Sequence, residues 1–302
     1  MFLAKEIMDK VRDAIILAGG RGTRMLPANL FMAKETLPLI DTPILNHIFC
    51  EAALAGVERI HLVLSKQKEE QLRSFFEGES NIDADVRADL PRIALDIREL
   101  GVEIRTYIQE MPGGVGDAIA VASKEIEGAF LVLLGDNILI KEHLGPKSND
   151  RLNASGASLE MVKNFEENGL PCVGIKSVSK KEISKYGVVE IDGSRILKIV
   201  EKPKISDAPS SFVLCGRYLL TSDINEILDL YPESEFGEMQ SIEVLGHYIK
   251  TVGLESVKFD EYQMYDSGGP ISWLKAQIDH GLRRDDISSE LYEWLTDRLS
   301  RI

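Results

Sequence analysis

The chain has 302 residues, 44% of them hydrophobic and 28% charged, which supports a substantial buried core and excludes disordered and collagen-like classes. Its net charge of −14 makes a field that repels phosphate backbones, so no nucleic-acid partner is expected. No run approaches the roughly 18 uncharged apolar residues of a membrane helix, and the opening MFLAKEIMDKVRD is charged where a signal peptide is apolar; no membrane partner is expected, and the expected location is cytoplasmic.

The first apolar run, Ala14 to Ala18, reads as a buried strand that leads into Leu17-Ala18-Gly19-Gly20-Arg21-Gly22-Thr23-Arg24. Glycines after a strand let backbone N–H groups approach a ligand closely, and this edge of an open α/β sheet is where nucleotides bind. Standing alone, the glycines would fit a tight structural turn equally well. The loop is not a dinucleotide fingerprint, because the third glycine would fall at Met25, and no Gly-Lys-Ser/Thr follows as in a Walker loop. Hydride transfer and ordinary NTP hydrolysis are thereby disfavoured. Lys34, in Lys34-Glu35-Thr36-Leu37-Pro38, adds a mobile ammonium to the fixed guanidinium of Arg24, and both can converge on one triphosphate.

Next, Thr42 as cap, Pro43 in the first turn and the stripe Ile44, Leu45, Ile48, Phe49, Ala52 and Ala53 predict a helix ended by Gly56. Strands are predicted at Ile60 to Leu64, Val102 to Ile108 and Phe130 to Leu134, as short apolar runs covered on both faces. Between them, Val86, Leu90, Ile93, Ile97 and Leu100 predict an inserted helical element, split or kinked by Pro91. Strand, helix and strand of these lengths predict right-handed crossovers and a doubly wound sheet. Beyond Asp136 the strands come closer together, at Cys172 to Ile175, Gly187 to Ile191, Ile196 to Val200 and Phe212 to Leu220, which predicts a mixed extension. Ile287, Leu291, Trp294, Leu295 and Leu299 predict a C-terminal amphipathic helix, docked on its own subunit or on a second copy. The two amphipathic elements together suggest a homo-oligomer. Cys50, Cys172 and Cys215 are too few and too scattered for a disulfide framework or a zinc site, and read as buried thiols. His47, His61, His143, His247 and His280 fall outside every motif and receive no catalytic role.

Gly-x-Gly-Thr-Arg-Met-x-Pro followed by Lys-Glu-x-Leu-Pro resembles the signature of the sugar-1-phosphate nucleotidyltransferases, which join an NTP to a sugar phosphate and release pyrophosphate. The resemblance runs over nearly the whole chain and is closest to the bacterial-type UTP:glucose-1-phosphate uridylyltransferases, whose branch the inserted stretch from Ile82 to Leu100 also suits. It implies a Rossmann-like, glycosyltransferase-A-like α/β fold with a doubly wound, mixed and mostly parallel sheet and a sugar-binding extension. One domain is expected over 1–302, with a nucleotide-binding half at about 12–136, a sugar-phosphate half at about 137–282 and the C-terminal helix at about 283–302.

The resemblance also implies site residues and small-molecule substrates, an NTP and a sugar-1-phosphate. Ala18, Gly19, Gly20, Gly22 and Thr23 would cradle the nucleotide. Gln109 would pair with a pyrimidine edge, and Gly114 and Gly116 would admit the ring; an amide has a donor and an acceptor to offer uracil or thymine. Arg24 and Lys34 would hold the β- and γ-phosphates. Asp136, in Leu134-Gly135-Asp136-Asn137, and Asp266, in Tyr265-Asp266-Ser267-Gly268, would hold Mg²⁺ as hard oxygen donors. Gly187 and Glu201 would bind the sugar, and Lys202 its phosphate.

Three departures stand out. Asp117 occupies a position where the uridylyltransferases commonly carry His. Gly19-Gly20 resembles the thymidylyltransferase loop more than the usual Ala-Ala-Gly. Ser241-Ile242-Glu243 replaces Leu-Thr-Asp after Gly237-Glu238-Met239-Gln240. The runner-up is therefore a dTTP:glucose-1-phosphate thymidylyltransferase, and the choice of glucose over galactose stays open. A catalytically silent sugar-nucleotide-binding relative is the rival class; it should have lost charged residues that are all present here, Arg24, Lys34, Asp136, Lys202 and Asp266.

Overall fold

The computed structural model describes residues 10–77, 101–141, 154–230 and 241–301. Its first half runs β1 (Asp13–Leu17), β2 (Pro38–Leu39), β3 (Thr42–Pro43), α1 (Ile44–Leu54), β4 (Arg59–Ser65), α2 (Lys66–Glu77), β5 (Glu103–Gln109), α3 (Gly114–Ser123) and β6 (Ala129–Leu134). The second half continues with β7 (Asn137–Ile140), α4 (Ala157–Asn168), β8 (Cys172–Ser177), β9 (Gly187–Asp192), β10 (Arg195–Glu201), β11 (Phe212–Thr221), α5 (Ile224–Leu230), α6 (Ser241–Thr251), β12 (Glu255–Lys258), β13 (Gln263–Asp266), α7 (Pro270–Gly281) and α8 (Ser288–Ser300).

Nine strands form one sheet in the order β5-β4-β1-β6-β11-β8-β12-β10-β9. The first four are parallel, and β11 then pairs antiparallel with both β6 and β8. Mixed pairing is as expected, but the parallel character belongs to the first half. Beyond β6, only β8 and β12 pair in parallel among the described residues. Successive residues of β1 explain the double winding. Ile16 joins the apolar cluster that α1 covers with Ile44, Leu45, Ile48 and Phe49, whereas Ile15 joins the cluster that α3 covers with Ala118, Ile119 and Ala122. Period-2 alternation with both faces apolar requires helices on both sides, and each fully buried Ile or Leu contributes about 1.5–3 kcal/mol.

Several local expectations are corrected. Thr42 does not cap α1: it pairs with Leu39 in the short β2–β3 ribbon, and Pro43 takes the cap position. Its hydroxyl donates instead to Asp41 Oδ1 at 3.2 Å. Cys172 and Cys215 are buried thiols, but Cys50 is only half-buried. The inserted stretch from Ile82 to Leu100 lies outside the described residues, as do Gly237 to Gln240. A ribbon that periodicity did not reveal, β7 against β13, pairs antiparallel and sets Asp266 opposite Asn137.

The tail forms α8 as expected. A β-carbon at Gly281 would lie 2.6 Å from Leu291, so that leucine packs on the end of α7. Arg284 is buried between Asp41 and Asp286. Tyr292, Trp294 and Leu299 remain exposed. The helix is thus docked on its own chain at its start, with apolar side chains left outward. No described helix is long and apolar enough to cross a membrane.

Candidate active site

The glycine loop follows β1 at the carboxyl edge of the parallel half. Gly22 sits at φ +61, a left-handed conformation that L side chains rarely adopt, and opens a one-turn 3-10 helix over Thr23–Met25. Asn29, a residue the sequence motifs did not single out, locks the loop. Its Nδ2 donates to the Arg21 carbonyl at 2.6 Å and its Oδ1 accepts from the Lys34 amide at 3.1 Å. A β-carbon at Gly22 would come within 2.6 Å of the Asn29 side chain. Below the loop, Lys68 donates to the Ala18 carbonyl at 2.8 Å and to both oxygens of Glu35 at 2.8 and 2.7 Å. Both partners are buried, and burial pushes the Glu35 carboxyl up and the Lys68 ammonium down. Glu35 lay within a recognisable motif. Lys68 had no signal beyond being a lysine in a helix.

Two carboxylates and two cations meet at the end of β6. Lys34, only 8% exposed, donates through Nζ to Asp136 Oδ2. Burial alone would lower the Lys34 pKa, but the charges of Asp136 and Glu35 raise it. Burial likewise works to raise the Asp136 carboxyl, and the Lys34 ammonium overrides it and holds the carboxyl below its usual range. Arg24 forks onto Asp266, Nη1 to Oδ2 at 2.7 Å and Nη2 to Oδ1 at 3.2 Å, and that bond raises its pKa. Gly20 lies over the Lys34 ammonium, which a β-carbon there would approach to 3.4 Å.

The β7–β13 ribbon brings Asp136 and Asp266 together across 130 positions of sequence. Buried Ser267 secures the join, donating to the Asp136 carbonyl from its amide at 2.9 Å and from its hydroxyl at 2.7 Å. Gly268 completes it. A β-carbon there would lie 2.9 Å from Asp266 Oδ1 and 3.1 Å from Asp136 Oδ2, so these oxygens stand within about 6 Å of each other, on the scale of a single shared cation. No group of three or more metal-binding side chains occurs among the described residues. Two carboxylates with remaining positions left to phosphate oxygens and water is the donor set magnesium takes in such sites, so the residues fit the ion.

Behind Asp136, fully buried Arg217 donates to both Glu51 oxygens at 2.8 Å and to the Asn137 carbonyl at 2.8 Å. It braces the strand end that carries the carboxylate, and sequence patterning gave no sign of it.

On the other side of the loop, Gln109 ends β5 and is buried. Its Nε2 donates to Asp117 Oδ2 at 2.7 Å and to the Gly114 carbonyl at 3.1 Å. Gly114 adopts φ +88, and Gly116 is buried in the first turn of α3. A cleft beside Gln109 is lined by Gly19, Arg21, Ser65, Lys66 and Met111.

The expected sugar residues form a third group. Gly187 pairs with Glu201, and a β-carbon at Gly187 would lie 3.1 Å from Glu201 Oε2. Lys202 holds φ +40, an uncommon conformation for a side-chain-bearing residue. Its amide donates to the Tyr186 carbonyl at 3.1 Å, and its exposed ammonium is 3.1 Å from Glu201. Tyr186 links this group electrostatically to Asp266 and Arg24: burial raises its hydroxyl pKa, the Asp266 charge adds to that, and Arg24 opposes it. Ile242, from the third departure, approaches Gly187 at 3.5 Å from its virtual β-carbon.

Residues 13–280 match the Nucleotidyl transferase family. The chain is 31% identical over 300 residues to a UTP–glucose-1-phosphate uridylyltransferase of Streptococcus pyogenes, covering 95% of this chain and 94% of that relative. It is similar in structure to a UTP-bound UGPase from Acinetobacter baumannii, with a TM-score of 0.79, 26% identity, and coverage of 95% of this chain and 99% of the other. A UDP-glucose pyrophosphorylase complexed with UDP-glucose matches with a TM-score of 0.76, 27% identity, and coverage of 90% and 98%.

Proposed function

The chain belongs to the nucleotidyl transferase family, and from that membership we propose that it transfers the uridylyl group of UTP to glucose-1-phosphate, giving UDP-glucose and pyrophosphate. The observation that carries the reading is the meeting of Asp136 and Asp266 with Lys34 and Arg24 at the mouth of the glycine loop, in a chain 31% identical to a UTP–glucose-1-phosphate uridylyltransferase. A phosphate oxygen of the sugar phosphate attacks the α-phosphorus of UTP, the bond to the bridging oxygen breaks, and that oxygen leaves with pyrophosphate. No nucleophilic side chain is needed. Two anions must be brought together, so catalysis rests on positioning and charge neutralisation.

The backbone amides of Gly19, Gly20 and Gly22 cradle the triphosphate, with Ala18 and Thr23 flanking them. Arg24 and Lys34 neutralise its β- and γ-phosphates and stabilise the leaving pyrophosphate. Gln109 reads the base, with Gly114 and Gly116 giving the ring room. Gly187 and Glu201 receive the sugar hydroxyls and Lys202 the sugar phosphate. Asp136 and Asp266 would hold Mg²⁺, which supplies Lewis-acid stabilisation of phosphate charge when bound.

A runner-up, dTTP in place of UTP, is favoured by Gly19-Gly20 and differs by one methyl, worth about 1–3 kcal/mol in an apolar slot. We read the chain as one cytoplasmic domain that forms a homo-oligomer, since Tyr292, Trp294 and Leu299 of α8 face outward.

The test is pyrophosphate release with UTP, dTTP, CTP and ATP crossed against glucose-, galactose-, mannose- and N-acetylglucosamine-1-phosphate. UTP with glucose-1-phosphate should lead. A lead of tenfold or more for CTP or ATP, about 1.4 kcal/mol, would overturn the base assignment.

A further inference from the structure

Resting on the reading that this site takes a uracil nucleotide, we propose that Asp117 is a positioning residue that sets base specificity by fixing the orientation of the Gln109 amide. Gln109 Nε2 lies between two oxygens, Asp117 Oδ2 at 2.7 Å and the Gly114 carbonyl at 3.1 Å. Neither oxygen can donate: one belongs to a carboxylate, the other to a peptide group. The reversed amide would turn its own carbonyl oxygen against both acceptors, so the NH₂ must face inward. The bond to Asp117 is charge-assisted and is the stronger of the two.

The consequence falls on the other end of the amide. With both N–H groups engaged, Gln109 offers the base only Oε1, not the donor and acceptor expected of it from the sequence, and Oε1 faces the glycine loop: a β-carbon at Gly19 would lie 3.1 Å from it. Gly113 makes room for the arrangement on the Asp117 side, where a β-carbon would come within 2.6 Å of Oδ2. Gly19 and Asp117 thus flank one amide from opposite sides.

An outward carbonyl oxygen selects a base whose edge donates at its centre. Uracil and thymine do so through N3–H, whereas cytosine presents a lone pair at N3 that Oε1 repels. Asparagine at 117 keeps the shape but can turn either an oxygen or an NH₂ toward Gln109. Only the weaker bond to the Gly114 carbonyl then still favours the inward NH₂, so the flipped amide becomes accessible and cytosine can be met by its NH₂.

The experiment measures kcat and KM for UTP and CTP at saturating glucose-1-phosphate, the glucose-1-phosphate KM at saturating UTP, and calorimetric binding of UTP and CTP without sugar phosphate, for the wild type, Asp117→Asn and Asp117→Glu. The wild type should bind UTP far better than CTP. Asp117→Asn should shrink the UTP:CTP ratio of kcat/KM at least tenfold, through nucleotide KM and with the glucose-1-phosphate KM unchanged, and Asp117→Glu, which keeps the acceptor, should hold the ratio nearer to wild type. A ratio within twofold of wild type in Asp117→Asn, or an equal loss for both nucleotides, would overturn the proposal. So would a wild type that binds CTP as well as UTP, a result that needs no variant to fold. A wild type that prefers UTP in binding, with the preference relaxed in Asp117→Asn, but makes no UDP-glucose would sink the activity reading and leave this one standing.

Discussion

Lys34 and Lys202 carry the same charge into different surroundings, and the difference decides what each can do. Lys34 is buried and pinned to Asp136, with the Glu35 carboxylate 3.8 Å away. Lys202 is largely exposed, loosely paired with Glu201, and held in a left-handed backbone conformation. Removing one partner of a buried pair costs about 3–5 kcal/mol, so Lys34→Ala should lower the melting temperature as well as weaken UTP use. Arg24→Ala should weaken UTP use with little effect on stability, because its guanidinium is mostly in solvent. Lys202→Ala should leave the fold and the UTP KM unchanged and reduce kcat/KM for glucose-1-phosphate about tenfold or more. Steady-state kinetics with each substrate varied in turn checks the division. A Lys202→Ala enzyme with a raised UTP KM and an unchanged sugar-phosphate KM would reverse it. Arg24 and Lys34 were legible in the sequence from their places beside the glycine loop, and Asp136 through the resemblance of Leu134-Gly135-Asp136 to the family's Leu-Gly-Asp. Asn29 and Lys68 were not, because what they do is bond the carbonyls of Arg21 and Ala18, and a contact to a backbone oxygen leaves no residue pattern.

At the scale of elements, β1, β4 and β6 were legible as buried apolar runs with turn residues at their ends, and α1 as an apolar stripe; β5, Glu-Ile-Arg-Thr-Tyr-Ile-Gln at the edge of the sheet, is mixed in polarity and is not covered on both faces as expected. The β7–β13 ribbon was not legible. Its strands are four residues each, and Gln-Met-Tyr-Asp acquires strand character only by pairing with a partner more than a hundred residues away. That ribbon is nevertheless what joins the two carboxylates. The packing of α7 on α1 yields a pH prediction. His47 of α1 stacks edge-on to His280 of α7, with ring centroids 5.6 Å apart, and burial pushes its pKa down from 6.5 to about 4, against a weak opposing pull from Asp41. The unfolded chain takes up a proton as pH falls below about 6.5, whereas the folded chain resists until about 4. Stability is therefore full above that window and falls on acidification through it, by up to about 1.4 kcal/mol per pH unit. His47→Gln, neutral throughout, should flatten that decline by close to one proton. Urea unfolding at a series of pH values measures it, and an unchanged slope in the variant would contradict the assignment.

Across the whole molecule, the proposed reaction asks a chain of net charge −14 to bind a triphosphate and a sugar phosphate, and the candidate site gathers cations beside its own carboxylates. Lys34 lies on Asp136, Arg24 on Asp266, Lys68 on Glu35 and Lys202 on Glu201. Each of these four cations has a carboxylate partner within the chain. On the proposed reading, phosphate oxygens would draw Arg24 and Lys34 away only if something else satisfied Asp136 and Asp266, and a divalent cation held by those carboxylates would meet that need. Sequence motifs carried the identity of these residues but not their pairing, which depends on the ribbon, on Ser267 and on the missing side chain at Gly268. The most direct measurement is UDP-glucose formation against magnesium concentration for the wild type and Asp266→Asn, with melting temperatures recorded alongside. The variant should fold normally, lose about a hundredfold or more in kcat, near 2.7 kcal/mol, and need more magnesium for half-saturation. An Asp266→Asn enzyme with unchanged kcat and unchanged magnesium dependence would contradict the shared-metal site.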